Sequence, residues 1–169
     1  NHASTYDPLL INLHTPLPMI TVGAGDLRLM PPASLLVKYG MIIRIQRGPI
    51  DHKNLKKMTQ ALQDGANLCI FPEGGTWEKR LDDVKPGAAY LSSIAGARIV
   101  PVAIGGTYRV WRKIARLQRP HITVHFGDPL PPIEAQDRKT RQQIFREASV
   151  QLMKRIYNHL PLQDRERYD

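Results

Sequence analysis

Asn67-Leu68-Cys69-Ile70-Phe71-Pro72-Glu73-Gly74-Gly75-Thr76-Trp77 is the stretch around which the rest of the chain arranges itself. Asn67 to Phe71 is a short, largely apolar run without helical period, which reads as a buried strand. Pro72 ends it. Glu73 adds one carboxylate, and Gly74-Gly75 let the backbone turn with its N–H groups exposed, a concavity suited to an anionic oxygen. A plain strand-to-loop turn with a solvated glutamate would use the same residues, so the company of this stretch decides between the two readings.

Outward from it, Met41 to Ile45 reads as a second buried strand ended by Arg47-Gly48-Pro49, and Met19 to Val22 as a short strand before a Gly23 to Gly25 turn. Arg98 to Ile104 reads as a strand containing Pro101, a residue tolerated at an edge or at the start of a strand. His121 to Phe126 alternates like a strand and turns at Gly127-Asp128-Pro129. Between these runs lie helical patterns. Asp7 to Leu13 carries Pro8 in its first turn, 32–39 closes at Gly40, and Pro86 opens a helix that Gly96 ends. Asp51 caps a stripe of Leu55, Met58 and Leu62 that stops at Gly65, with Lys53, Lys56 and Lys57 off the stripe. Asp137 caps a long helix with Ile144, Phe145, Ala148, Leu152 and Ile156 on one face. The alternation predicts an α/β domain over residues 1–160, with a mixed, mostly parallel sheet flanked by helices. Residues 161–169 form a charged tail, of which Gln163 to Asp169 are expected to fray.

At 169 residues the chain fits one domain with a real core, and its 23% charged residues argue against global disorder. The single cysteine, Cys69, falls in the predicted central strand, where a small core hydrophobe fits best. A net charge of +9 implies an acidic partner: nucleic acid, anionic lipid, a phosphorylated substrate or an acidic carrier protein. Nucleic acid is the weakest of these, because no stacking motif, zinc-ligand set or helix-turn-helix accompanies the charge, and none is expected as a partner. There is no apolar run long enough to span a bilayer and no visible signal peptide. The chain starts at Asn1, directly before a candidate catalytic histidine, which predicts a piece of a longer protein whose upstream part could hold a membrane anchor and a core strand.

His2 and Asp7 stand five positions apart, and residues so spaced on a regular helix point about 140° away from each other. The two meet only if His2 lies on the turn before the helix and Asp7 in its first turn. An imidazole has a reference pKa of about 6.5 and accepts protons near neutrality; a carboxylate on its far nitrogen fixes the tautomer. Ser4 is a conceivable nucleophile, although direct attack by a substrate hydroxyl is simpler. His14, His52, His121, His125 and His159 lack such a partner pattern and read as surface or strand residues.

Taken in order, Asn1-His2-Ala3-Ser4-Thr5-Tyr6-Asp7, Gly40 to Arg47, Phe71 to Thr76 and Ile99 to Gly106 resemble the four sequence blocks of the glycerolipid acyltransferases, the family of lysophosphatidic acid and glycerol-3-phosphate acyltransferases. The resemblance covers residues 1 to about 130 and implies a glycerol-3-phosphate acyltransferase-like fold. It also implies transfer of a fatty acyl group from acyl-CoA or acyl carrier protein, with no other cofactor and no metal, to a lysophospholipid, first of all 1-acyl-sn-glycerol-3-phosphate. His2 would be the base and Asp7 its orienter; Arg47 would bind the glycerol phosphate, and Glu73 and Gly74 would position the acceptor, with Gly75, Thr76 and Lys85 in the same set. Pro101 would form a wall of the site. The family's third block continues with threonine and arginine after the first glycine, where this chain has Gly75-Thr76-Trp77, so Lys79, Arg80 or Lys85 must supply that charge.

Outside the blocks, Arg109, Arg112, Lys113, Arg116 and Arg119 fall on one arc if 107–119 is helical, with Val110, Trp111, Ile114 and Leu117 opposite. Such a helix either lies in an anionic membrane interface or packs its apolar side on the sheet. The first option places the protein peripherally on the cytoplasmic face of the membrane. A catalytically silent lipid-binding domain of the same fold is the alternative function.

Overall fold

The structure is a computed structural model and describes residues 1–24, 42–45, 52–75 and 81–168. The helix expected over 32–39 and the Asp51 cap lie outside the described residues. Three strands form a parallel sheet in the order β2-β1-β3, comprising β1 (Met19–Ala24), β2 (Ile42–Ile45) and β3 (Asn67–Cys69). β1 is central, with Thr21 opposite Ile42 on one side and opposite Cys69 on the other. A parallel sheet needs crossovers, and α2 (His52–Gln63) carries the chain from β2 on one side of β1 to β3 on the other, packing on both and burying Met58 of the predicted stripe. α1 (Asp7–His14) precedes β1, and its Ile11 packs with Cys69 under the sheet. α3 (Gly87–Ala95) starts after Pro86 and ends at Gly96 with φ 65°, as its punctuation predicts.

β4 (Val102–Gly105) and β5 (Thr123–Phe126) form a separate antiparallel pair. Pro101 sits directly before β4, the strand-start position expected of it. The α/β class is as predicted, but the single mixed sheet is not what forms among the described residues: no ladder joins β4 to the parallel strands. A side chain pairs with β4 instead. Asn1 Oδ1 accepts the Ile104 N–H at 2.6 Å and Asn1 Nδ2 donates to the Ile104 carbonyl at 2.9 Å. An asparagine amide carries the same donor and acceptor as a peptide unit, so it pairs with Ile104 as a strand would.

α5 (Arg141–His159) lies over β4, and Ala103, Leu152, Met153, Ile156, Leu160 and Tyr168 form the core between them. Phe145, Leu152 and Ile156 are buried as the stripe predicts, whereas Ile144 and Ala148 are only half-buried. Two expectations fail. The tail does not fray: α6 (Leu162–Arg165) forms, Asp164 Oδ2 accepts the Gly106 N–H at 2.9 Å, and Arg165 donates to the carbonyls of Leu160 and Asn158. Its charged residues are partners for main-chain groups rather than a solvated run. The 107–119 helix is also cut short to α4 (Val110–Ala115), because Arg109 at φ 51° and Leu117 at φ 55° leave the helical region on either side.

Gly106 holds this junction together. It has φ 78°, and a Cβ there would run into the carbonyl oxygen of His121. Gly106→Ala is expected to cost on the order of 3 kcal/mol, from left-handed strain plus overpacking. In a domain of this size that lowers the melting temperature by roughly 6–12 °C, measurable by calorimetry.

Candidate active site

The site begins with a turn. Asp7 Oδ2 accepts the N–H of Ala3 at 2.6 Å and of Ser4 at 2.7 Å, while the Asp7 N–H donates to the Ser4 carbonyl at 3.0 Å. These bonds curl residues 2–7 back over the start of α1, which puts His2 on the turn and Asp7 in the first helical position. The His2 ring then reaches the same oxygen, with Nδ1 3.1 Å from Asp7 Oδ2. Asp7 has no solvent exposure at all. An ionised carboxylate only accepts, so the ring's Nδ1 carries the hydrogen and its Nε2 is left with a lone pair. Phe71 stacks on the ring at 4.2 Å between centroids and sets its tilt.

A second carboxylate holds the same turn from the other side. Glu73 is 3% exposed, and its Oε1 accepts the His2 main-chain N–H at 2.9 Å and the Tyr168 hydroxyl at 2.7 Å. Burial pushes the Glu73 carboxyl up, but the Asn1 ammonium and the hydrogen bonds from Tyr168 and His2 outweigh it, and the group titrates below the ordinary carboxylate value. Burial and the Glu73 charge push the Tyr168 hydroxyl well up, so it stays protonated and donates.

His2 opens on a cleft of about 250 Å³. Its apolar wall includes Ile42, Ile45, Leu55, Met58 and Leu91, and its polar rim includes Thr5, Arg44, Gly74, Gly75 and Lys85. Gly74 takes φ 69°, where a β-carbon is disfavoured, and the Lys85 stem passes close to it. Of the residues singled out from the sequence, the structure thus places His2, Gly74, Gly75 and Lys85 in the lining of this cleft, with Asp7 buried behind His2. Glu73 lies behind the turn rather than in the cleft wall. Pro101 is buried beside a different cavity of about 130 Å³. Arg47, Thr76, Lys79 and Arg80 lie outside the described residues.

Sequence reasoning passed over Asn1, Phe71, Tyr168 and Arg44 as members of the site. Asn1 and Phe71 adjoin motif residues and were open to detection. Arg44 had the weaker signal of a charge inside an apolar run, and Tyr168 had none. Among the described residues no cluster of histidine, cysteine and acidic side chains is suited to a metal ion.

A family model for the acyltransferases matches residues 1–105, and the chain belongs to that family. It is similar to a probable 1-acyl-sn-glycerol-3-phosphate acyltransferase of Mycoplasma pneumoniae, 27% identical over 157 residues that cover 79% of this chain and 56% of that protein. It is also similar to 1-acyl-sn-glycerol-3-phosphate acyltransferases of Limnanthes alba, 30% identical over 142 residues (81% and 50% covered), and of Cocos nucifera, 28% identical over 167 residues (95% and 52% covered). The chain spans about half the length of these curated relatives. No solved structure matches it.

Cys69 is buried in β3 and does not line the His2 cleft, and burial pushes its thiol up to about 12. A thiol raised that far is almost wholly protonated at neutral pH. The native protein is therefore expected to resist iodoacetamide at pH 8 and to react only once unfolded, as mass spectrometry of the alkylated protein would show.

Proposed function

We propose that this protein is an O-acyltransferase that moves a fatty acyl group from acyl-CoA or acyl carrier protein to a lysophospholipid, with 1-acyl-sn-glycerol-3-phosphate as the first candidate and phosphatidic acid as the product. Membership of the acyltransferase family and the names of the relatives support this reading, and the observation that carries it is the His2–Asp7 pair at the mouth of an apolar cleft. His2 Nε2 takes the proton of the acceptor hydroxyl as its oxygen attacks the thioester carbonyl. The tetrahedral intermediate collapses by breaking the C–S bond, and the proton held on His2 passes to the departing thiolate. No further cofactor enters this balance. The apolar wall suits an acyl chain, while Lys85 and Arg44 place positive charge on the rim for the acceptor's phosphate. Arg47 and Thr76 complete the acceptor set in this reading, Glu73 orders it from behind, and the domain takes the glycerol-3-phosphate acyltransferase-like arrangement.

The protein works at the cytoplasmic face of the membrane as a peripheral enzyme in phospholipid biosynthesis. In support, α4 turns only Val110 inward, while Trp111 is 55% and Leu117 97% exposed beside Arg112, Arg116 and Arg119. Exposed apolar side chains among cations suit an anionic lipid surface better than packing on the sheet. On addition of phosphatidylglycerol vesicles the tryptophan emission is expected to shift to the blue, and Trp111→Phe to abolish that shift. A shift that survives the substitution would move the membrane contact elsewhere.

Release of free CoA with lysophosphatidic acid as acceptor tests the chemistry. His2→Ala is expected to lower turnover by about 10²- to 10⁴-fold, the usual worth of a general base, with little change in melting temperature. Near-normal turnover in that variant would remove the mechanism. Vesicle binding by a wild-type protein that releases no CoA with any lysophospholipid would instead favour the silent lipid-binding alternative.

A further inference from the structure

Tyr168 is 95 residues from Glu73 in the chain and reaches it from the C-terminal segment that follows α5. Its approach is determined at several points. The Pro161 ring packs on Gly105 so closely that a β-carbon there would meet it at 2.6 Å. Asp164 holds the Gly106 N–H, and the Arg167 guanidinium lies 4.6 Å over the Tyr108 ring. Tyr168 itself stands edge-on to Tyr157 of α5, at 6.2 Å and 85°, and joins the core beneath β4. Residues before and at Tyr168 are therefore tied both to the end of β4 and to α5, and its hydroxyl arrives at Glu73 with little freedom.

What it meets there is an oxygen that already holds the catalytic turn. Glu73 Oε1 takes two donors, the Tyr168 hydroxyl at 2.7 Å and the His2 N–H at 2.9 Å. Two donors on one oxygen fix both its position and its direction. We propose that Tyr168 is a positioning residue of the acyl-transfer centre: it locks Glu73 where that carboxylate holds the His2 main chain, so the segment from Pro161 to Tyr168 aligns the imidazole without touching substrate. The consequence for transfer rests on the acyltransferase reading above; the consequence for His2 geometry does not.

The test compares Tyr168→Phe, Glu73→Gln and the double variant. Tyr168→Phe keeps the ring in the core and removes only the hydroxyl, so near-ultraviolet circular dichroism is expected to stay native. The His2 amide resonance is expected to move upfield and its hydrogen exchange to speed up about tenfold. kcat/KM for acyl transfer is expected to fall about tenfold, as for a lost hydrogen bond to a charged group, mainly in kcat. Because Tyr168 acts through Glu73, the double variant is expected to be no slower than Glu73→Gln alone. A merely structural tyrosine would give effects that multiply. Asp164→Ala, which loosens the same segment at Gly106, supplies a second arm and is expected to perturb the His2 amide in the same direction. An unchanged His2 amide in both variants, or multiplicative losses in the double variant, would overturn the proposal. If the wild type transfers no acyl group, the acyltransferase reading fails, and the amide arm still decides the role of Tyr168.

Discussion

One oxygen atom, Oδ2 of Asp7, sets the geometry of this protein's site. It receives two main-chain N–H groups and one imidazole nitrogen while shut off from water. A buried carboxylate is costly unless its charge is met by such donors, and meeting it forces the chain into the turn that places His2. The placement of His2 and the local fold are therefore the same interaction. Any change that frees the oxygen also opens the turn.

Around that turn the rest of the molecule acts as a frame. Asn1 fastens it to β4 by imitating a strand, Glu73 fastens it to the loop after β3, and Phe71 limits the tilt of the ring. These attachments come from segments distant in sequence that meet only when both sheets and α5 are in place. The cleft in front of His2 is left apolar on its walls and cationic at its rim, the pairing of surfaces that a phosphorylated lipid presents in reverse.

Much of this was readable beforehand. Met19 to Val22, Met41 to Ile45 and Asn67 to Phe71 announce strands because continuous apolar runs bounded by glycine and proline have few other uses, although β2 is only half-buried with Arg44 exposed and β3 stops at Cys69. Gly96 and Pro101 act as stop and start through backbone constraints that hold in any context. The five-residue spacing of His2 and Asp7 also stated its own geometric condition, a turn before a helix. What escaped was long-range or dependent on single residues. Nothing in the stretch 161–169 signals that Asp164 finds an N–H of β4's following turn or that Tyr168 finds Glu73, since charge density there mimics a solvated tail. Nothing in the sequence marks the split between the two sheets or the pairing of the Asn1 amide with Ile104, and the shortening of α4 depends on two left-handed residues that are not glycine.

The central claim is that Asp7 keeps the proton on His2 Nδ1 and leaves Nε2 bare toward the cleft. Nitrogen-15 resonances of the His2 ring, followed in the folded protein above the pH at which the ring loses its charge, report that tautomer directly. A protonated Nδ1 and an unprotonated Nε2, reversing in Asp7→Ala, is the expected result. A proton resident on Nε2 in the wild-type protein would leave the ring with no lone pair facing the cleft and would contradict the assignment of His2 as the base.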